Sequence, residues 1–272
     1  MKTYYNEIDL RIRESGVLCD SLSLDINSKI KEVRSVGFIG NVSFVVDGEL
    51  ETTLDMSYYM NLRSDPVLSI VDDVKNSVSR ENFAGDLIQV TNLSGSFFLN
   101  SFSFNIEPNE PISCNANFSS YDDLSGQIEP IIRDTSFDYS IAHGWAMKLN
   151  KGSKYYDILR LGYSLESKSE PIYTVGNSKP IAVQRNLIKE SFDIVIAEYT
   201  GVGYSGGFFH NEILNSDAIE IYDFNIHCES GSQYQADYKR TFTLNDPVIN
   251  SSSLSIGLDG YAVTNLNIEQ FL

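Results

Sequence analysis

Apolar and polar residues alternate with a period of two along much of this chain. The segments 22–26, 98–106 and 192–196 show the pattern, with polar residues between most of the apolar positions. Successive side chains of a β-strand point to opposite faces, so the pattern predicts strands with one buried face. In the last two segments, the residues predicted to share a buried face are Phe98, Phe102, Phe104 and Ile106, and Phe192, Ile194 and Ile196.

Turn-forming residues separate the predicted strands. Glycine beside aspartate, asparagine or serine favours tight turns, because these residues tolerate the backbone angles that such turns need. Frequent short strands divided in this way are typical of a β-sandwich or barrel. The predicted turns are Asp47-Gly48, Ser94-Gly95, Asn150-Lys151-Gly152, Gly176-Asn177 and Asp259-Gly260.

One segment has helical periodicity instead. Val67, Val71 and Val74 recur at intervals of four and three, and Asp65-Pro66 precedes them. Aspartate is a favoured helix N-cap, and proline is favoured at the first helical position. The pattern therefore predicts a helix over residues 66–79 that packs on a sheet.

The two halves of the sequence resemble each other in two alternative alignments. One pairs Leu54-Asp55-Met56 with Phe192-Asp193-Ile194, and the other pairs Ser64-Asp65-Pro66 with Ser169-Glu170-Pro171. The two cannot both hold, because their offsets differ. Either alignment indicates a duplicated domain, and we place the boundary between residues 130 and 131.

Composition narrows the function classes. The 272 residues are 42% hydrophobic and 21% charged, which is typical of a globular chain. The net charge of −17 argues against a nucleic-acid reader, because such proteins need cationic surfaces to displace counterions from phosphates. No uncharged apolar run approaches the roughly 20 residues of a membrane helix, so we expect no membrane insertion. Three widely spaced cysteines do not indicate a disulfide framework.

The sequence shows no well-formed catalytic or metal-binding set. His227 and Cys228 are adjacent, and neighbours on a strand face opposite sides, which makes them poor ligands for one metal ion. The doublets Asp72-Asp73 and Asp122-Asp123 could supply the two carboxylates of a glycosidase, but such doublets are more typical of a solvated acidic surface. We therefore expect neither enzyme activity nor a cofactor.

The carboxy-terminal half contains a recognisable order of segments. Glu170–Pro180 holds a proline and glycine turn and is followed by an apolar strand, a glycine-rich loop, the segment Asp217–Ile226 and the closing segment Leu258–Ile268. This order resembles the tail tube proteins of bacteriophages and of related contractile injection systems. The likeness covers roughly residues 160–272, with a weaker echo over 20–126.

The resemblance implies an all-β dominated fold with a minor helical part. It would comprise two tandem tail-tube-like β-sandwich or barrel domains, residues 1–130 and 131–272, with a short helix packed on the first. Two such domains in one chain are similar to tail-hub and tail-terminus proteins, in which three chains imitate a six-fold ring. The chain is thus expected to be a virion structural protein that forms an acidic channel for DNA passage.

Several further expectations follow from the same resemblance. The chain would pair with itself in a three-fold or six-fold ring, contact other tail or baseplate proteins, and reside in the virion tail after assembly in the host cytoplasm. Strands Phe192–Ile196 and Phe98–Ile106 would supply free sheet edges. The alternative is a virion decoration or adhesin-type module that binds carbohydrate or protein, with tyrosine-rich surfaces. The predicted assembly contacts are Phe192, Ile194, Phe208 and Phe209.

Overall fold

A computed structural model describes most of the chain. The described residues are 9–33, 43–61, 65–76, 85–108, 110–127, 141–143, 148–151, 154–175, 177, 179–199, 218–222, 225–226, 242–245, 248–256 and 261–272. Within them, the strands are β1 (Leu10–Ile12), β2 (Ser15–Gly16), β3 (Cys19–Val33), β4 (Ser43–Tyr59), β5 (Asp86–Val90), β6 (Leu93–Ile106), β7 (Ser113–Ser120), β8 (Ala142–His143), β9 (Lys148–Lys151), β10 (Lys154–Ile172), β11 (Ala182–Tyr199), β12 (Ala218–Tyr222), β13 (Asn225–Ile226), β14 (Phe242–Asn245), β15 (Val248–Ile256) and β16 (Tyr261–Phe271). The helix of this part of the chain is α1 (Pro66–Asn76). The prediction of a β-dominated fold is confirmed.

Eight of these strands form one open antiparallel sheet, which we call the main sheet. Its strand order is β3-β4-β7-β6-β10-β11-β16-β15. Shorter strands extend it at two places: β5 pairs with the first residues of β6, and β9 pairs with the first residues of β10. Among the described residues, β3 and β15 are the two end strands of the main sheet.

The main sheet contains the same strand order twice. In β3-β4-β7-β6, a long hairpin comes first in the sequence, and the last strand inserts between the hairpin and the third strand. The group β10-β11-β16-β15 repeats this arrangement. The two groups join through β6 and β10. The predicted domain boundary after residue 130 falls outside the described residues, so the division at that point stays a prediction.

One face of the main sheet holds the hydrophobic core. Phe102, Phe104 and Ile106 of β6 are buried there, as predicted, together with Phe192 and Ile194 of β11. The apolar side of α1 belongs to the same cluster. The core thus lies between this buried face and the helix.

Helix α1 begins where the sequence predicts. The Asp65 Oδ1 atom accepts hydrogen bonds from the backbone N–H groups of Val67 and Leu68, both at 3.0 Å. This satisfies two of the donors that a helix start leaves without partners. The prediction is confirmed over residues 66–76, and residues 77–79 lie outside the described part.

A β-bulge at Asn100 corrects the predicted face of Phe98. The pairing of β6 with β7 shifts between Leu99 and Ser101, so Leu99 joins the main core together with Phe102. Phe98 instead packs with Tyr121 and Val183 in a separate small cluster. An extra residue in one strand reverses the facing of everything before it, which a simple parity count cannot register.

Two predicted turns are wrong because their glycines lie inside strands. Gly48 falls within β4, where the register with β3 shifts, and glycine is a frequent residue at such irregularities. Gly95 lies within β6, where a β-carbon would collide with Leu124. The chain turns between β5 and β6 at Thr91 instead, whose φ is +54°.

Candidate functional site on the polar face of the sheet

The second face of the main sheet is lined by hydroxyl, amide and carboxylate groups, and we call it the polar face. Its side chains alternate with those of the core, and most are exposed or half-buried. The strand registers align them in three rows that run across the sheet. The rows are Ser23, Asp55, Asn117, Ser101, Glu166, Lys189 and Phe271; Ser21, Ser57, Asn115, Ser103, Ser164, Ser191, Glu269 and Val248; and Tyr59, Ser113, Asn105, Gly162, Asp193, Asn267 and Ser251.

Cross-strand hydrogen bonds fix these side chains. Asn117 Nδ2 donates to Asp55 Oδ1 at 2.6 Å in the first strand group, and Asn267 Nδ2 donates to Asp193 Oδ1 at 2.6 Å in the second. The Oγ atoms of Ser164 and Ser191 lie 2.6 Å apart in the row between them. Each strand group thus holds one aspartate with an asparagine from the adjacent strand.

The three rows carry a net negative charge. Their charged members are the carboxylates Asp55, Glu166, Asp193 and Glu269 and the single ammonium of Lys189. Lys189 Nζ lies 2.7 Å from Glu269 Oε1, and this hydrogen bond lowers the pKa of Glu269 and raises the pKa of Lys189. The lysine is therefore neutralised locally, and the rows keep a net negative charge.

A shallow groove crosses the polar face of the first strand group. Serine, asparagine and aspartate side chains form its walls, and Leu22, Met56 and Ala116 also line it. The polar lining residues are Ser21, Ser23, Asp55, Ser57, Ser101, Ser103, Asn115 and Asn117. Such a surface can exchange hydrogen bonds with water or with a hydroxyl-rich ligand.

A buried carboxylate lies on the opposite, apolar face. Glu190 of β11 is 0% exposed, and its Oε1 atom accepts a hydrogen bond from Tyr163 Oη at 2.6 Å. Lys75 Nζ of α1 lies 2.6 Å from the same oxygen, and Gln270 Nε2 donates to Oε2. Sequence reasoning missed this cluster, although Glu190 has the same parity as Phe192 and Ile194 and was therefore due to face the core.

A second buried polar cluster lies at the start of α1. Tyr58 Oη donates to Asp65 Oδ1 at 3.1 Å, and Cys114 is buried beside them. Burial, reinforced by the charge of Asp65, raises the pKa of both Tyr58 and Cys114 well above their usual values. The Cys114 thiol therefore stays protonated near neutral pH, which makes it unsuited to nucleophilic chemistry.

The predicted assembly residues are only partly visible in the structure. Phe192 and Ile194 are 0% and 1% exposed, so both side chains belong to the core of this chain. Phe208 and Phe209 lie outside the described residues. Contacts of these four with another subunit stay a prediction.

The predicted free edges are wrong. Strand β11, which contains Phe192–Ile196, pairs with both β10 and β16. Strand β6, which contains Phe98–Ile106, pairs with β7 and β10. Apolar alternation marks strands that are covered on one face, and it carries no information on whether both edges are paired.

The remaining chemical candidates do not converge. Asp73 on α1 pairs with Arg13 at 2.6 Å, whereas Asp122 and Asp123 both contact Lys179. Among the residues that the structure describes, no group of three His, Cys, Asp or Glu side chains could hold a metal ion. His227 and Cys228 fall outside that part of the chain.

Within the part of the chain that the structure describes, no helix is long and apolar enough to cross a membrane.

No protein-family model matches the chain, and no curated protein matches it.

Proposed function

We propose that this chain is a virion structural protein, a subunit of a phage tail ring whose polar face lines a channel for DNA. The observation that carries the proposal is the polar face itself. It extends across eight strands, and its three rows combine hydroxyl and amide groups with unneutralised carboxylates. The proposal covers three kinds of tail ring, namely tube, hub and tube adaptor.

The chemistry of this face suits a surface that DNA must slide along. Proteins hold DNA mainly through cations that contact phosphates, and single strands also through aromatic side chains that stack on bases. The rows offer one lysine, already paired with Glu269, and their two aromatic residues, Tyr59 and Phe271, lie at the row ends. Carboxylates repel phosphates, so DNA would pass without adhering.

The repeated strand order supports two tandem domains of tail-tube-like architecture. A long hairpin followed by a shorter one occurs in both groups, with the last strand inserted in the same place. Helix α1 contacts β6 of the first group, and its Lys75 also reaches Glu190 of the second. A chain with two such units would fit a three-fold or six-fold ring in the virion tail, assembled in the host cytoplasm with other tail or baseplate proteins.

A second candidate is a module that binds a hydroxyl-rich ligand such as a glycan. The groove between Ser21 and Asn117 favours it, because serine, asparagine and aspartate are suited to hydrogen bonds with sugar hydroxyls. The described lining of this groove contains no aromatic residue on which a sugar ring could stack. The ring proposal accounts for the whole face, whereas the glycan proposal accounts for one end of it.

Light scattering coupled to size exclusion, with negative-stain images of the same fractions, tests the proposal. We expect three-fold or six-fold rings, or tubes with a central hole, as concentration rises. A monomer at every concentration, together with binding on a glycan array, would favour the second candidate and overturn the first.

A further inference from the structure

The two strand groups allow the positions of their strands to be matched. In the first group, Asp55 of β4 lies opposite Asn117 of β7, which lies opposite Ser101 of β6. In the second, Asp193 lies opposite Asn267, which lies opposite Ser251 of β15. The shared Asn–Asp hydrogen bond anchors the match. Ser251 on β15 is therefore the counterpart of Ser101 on β6.

The same match relates β3 to β10. Ser23 lies opposite Asp55, and Gly162 lies opposite Asp193, so these two positions are counterparts. Two residues further along, Asp25 corresponds to Ser164. On the other strand pair, Ser253 corresponds to Ser103 by the same step.

Inside the chain, β6 and β10 form the junction between the two groups. They pair antiparallel, with Ser103 opposite Ser164. The counterparts of these two residues, Ser253 and Asp25, lie on the strands at the two ends of the main sheet. The two end strands therefore carry the counterparts of the two residues that lie opposite each other at the internal junction.

Exposure at the β3 end agrees with this match. Asp25, Ile26 and Asn27 are exposed in succession on β3, whereas interior strands alternate between buried and exposed residues. Ile26 is 59% exposed. Its counterpart Leu165 is 0% exposed and lies opposite Phe102 in the internal junction. The apolar residue at this position is thus buried in the second group, as Leu165, and exposed in the first, as Ile26.

We propose that a second copy of this chain adds its β3 to β15 of the first copy, antiparallel, with Ser253 opposite Asp25. The inference rests on the proposed assembly of the chain with itself and adds the partner strands and their register. The two edges differ, so the contact is head-to-tail, which closes into a ring or continues as a filament. In this register Ser255 lies opposite Ser23 and Ser251 opposite Asn27, so no like charges meet.

Disulfide cross-linking of introduced cysteines tests the register. Directly opposite residues on paired strands place their β-carbons close enough for a disulfide after small adjustment. In a Cys19→Ser background, we expect the double variant Asp25→Cys/Ser253→Cys to give a ladder of linked multimers under mild oxidation. Mixed single variants Asp25→Cys and Ser253→Cys should give linked dimers only.

Three controls make the result specific. The offset pair Asp25→Cys/Ser255→Cys should cross-link several-fold more slowly, because its members lie diagonally. Asp25→Cys alone should not cross-link beyond the background, since head-to-tail contact keeps two β3 strands apart. Ile26→Asp should abolish multimers while the monomer keeps its unfolding midpoint, because this side chain is exposed in the single chain.

The outcomes separate this inference from the proposed function. Rings that form while the offset pair cross-links faster, or while Asp25→Cys links to itself, would overturn the register and leave the ring proposal standing. Monomers at every concentration without any cross-link would overturn both. Rings that survive Ile26→Asp would also contradict the proposed edge.

Discussion

The two faces of the main sheet place carboxylates in opposite surroundings. On the polar face, Asp55 and Asp193 are exposed and each accepts a hydrogen bond from an asparagine. On the apolar face, Glu190 has no contact with solvent and is surrounded by Lys75, Tyr163 and Gln270. Glu190 and Asp193 both lie on β11, at positions of opposite parity, so their side chains point to opposite faces of the sheet.

This difference shows where the fold tolerates change. Water replaces a lost partner on the polar face, so single bonds there contribute little to stability. A buried charge that loses its partner keeps the full cost of its desolvation. The polar face can therefore vary for function, whereas the Glu190 cluster determines how α1 is held on the sheet.

Deletion of Asn100 should have the largest effect, because it exchanges the two faces within β6. Phe97 and Leu99 would turn from the core toward solvent, and burial of such side chains contributes about 1.5–3 kcal/mol each. We expect a loss of about 3–6 kcal/mol in the free energy of unfolding, measured by urea denaturation. Asn100→Ala keeps the bulge and loses only the bonds to Asn117 and Ser119, so it should cost about 1–2 kcal/mol. Equal losses in both variants would contradict the role of the bulge.

Lys75→Met should destabilise the chain by about 3–5 kcal/mol, because Glu190 then stays buried without its cation. Lys168→Met removes an ion pair between exposed groups on β10 and should change stability by less than about 0.5 kcal/mol. Adding Glu190→Leu to Lys75→Met should recover part of the loss. Equal effects of the two single lysine variants would show that Glu190 is not held as the geometry indicates.

Tyr58→Phe should alter the dependence of stability on pH. Burial and the charge of Asp65 raise the pKa of Tyr58 in the folded chain, so above about pH 10 the unfolded chain loses this proton first. Ionisation then favours unfolding, and stability falls as pH rises from there toward the folded pKa. The variant should lower stability near pH 8 and flatten the fall above about pH 10, as followed by urea midpoints. Parallel curves for parent and variant would contradict this.

Changes on the polar face should have the smallest effect on stability. Asp55→Lys/Asp193→Lys is expected to shift the free energy of unfolding by less than about 1 kcal/mol, because both side chains are exposed. It should, however, confer DNA binding that weakens as salt increases, whereas the parent should bind no DNA. Glu107→Lys/Glu110→Lys makes the same change in charge in the loop between β6 and β7. An equal gain of DNA binding in this control would show that only net charge matters.

The sequence by itself determined the local features of the molecule. Alternation identified the strands and the buried faces of Phe102, Phe104 and Phe192, because side chains point to alternate faces along a strand that no bulge interrupts. Asp65-Pro66 identified the start of α1, since capping involves residues within one turn. The many serines and carboxylates between apolar positions also predicted a polar second face, although not its continuity across the sheet.

Only the tertiary structure decided the features that depend on distant residues. The bulge at Asn100 is defined by the register with β7, and the partners of Glu190 come from α1, β10 and β16. The strand order that places β6 beside β10 and leaves β3 and β15 at the ends likewise depends on pairing across the chain. Such pairings follow from which surfaces pack together, and hydrophobic attraction is non-directional, so the pattern within one segment cannot specify them.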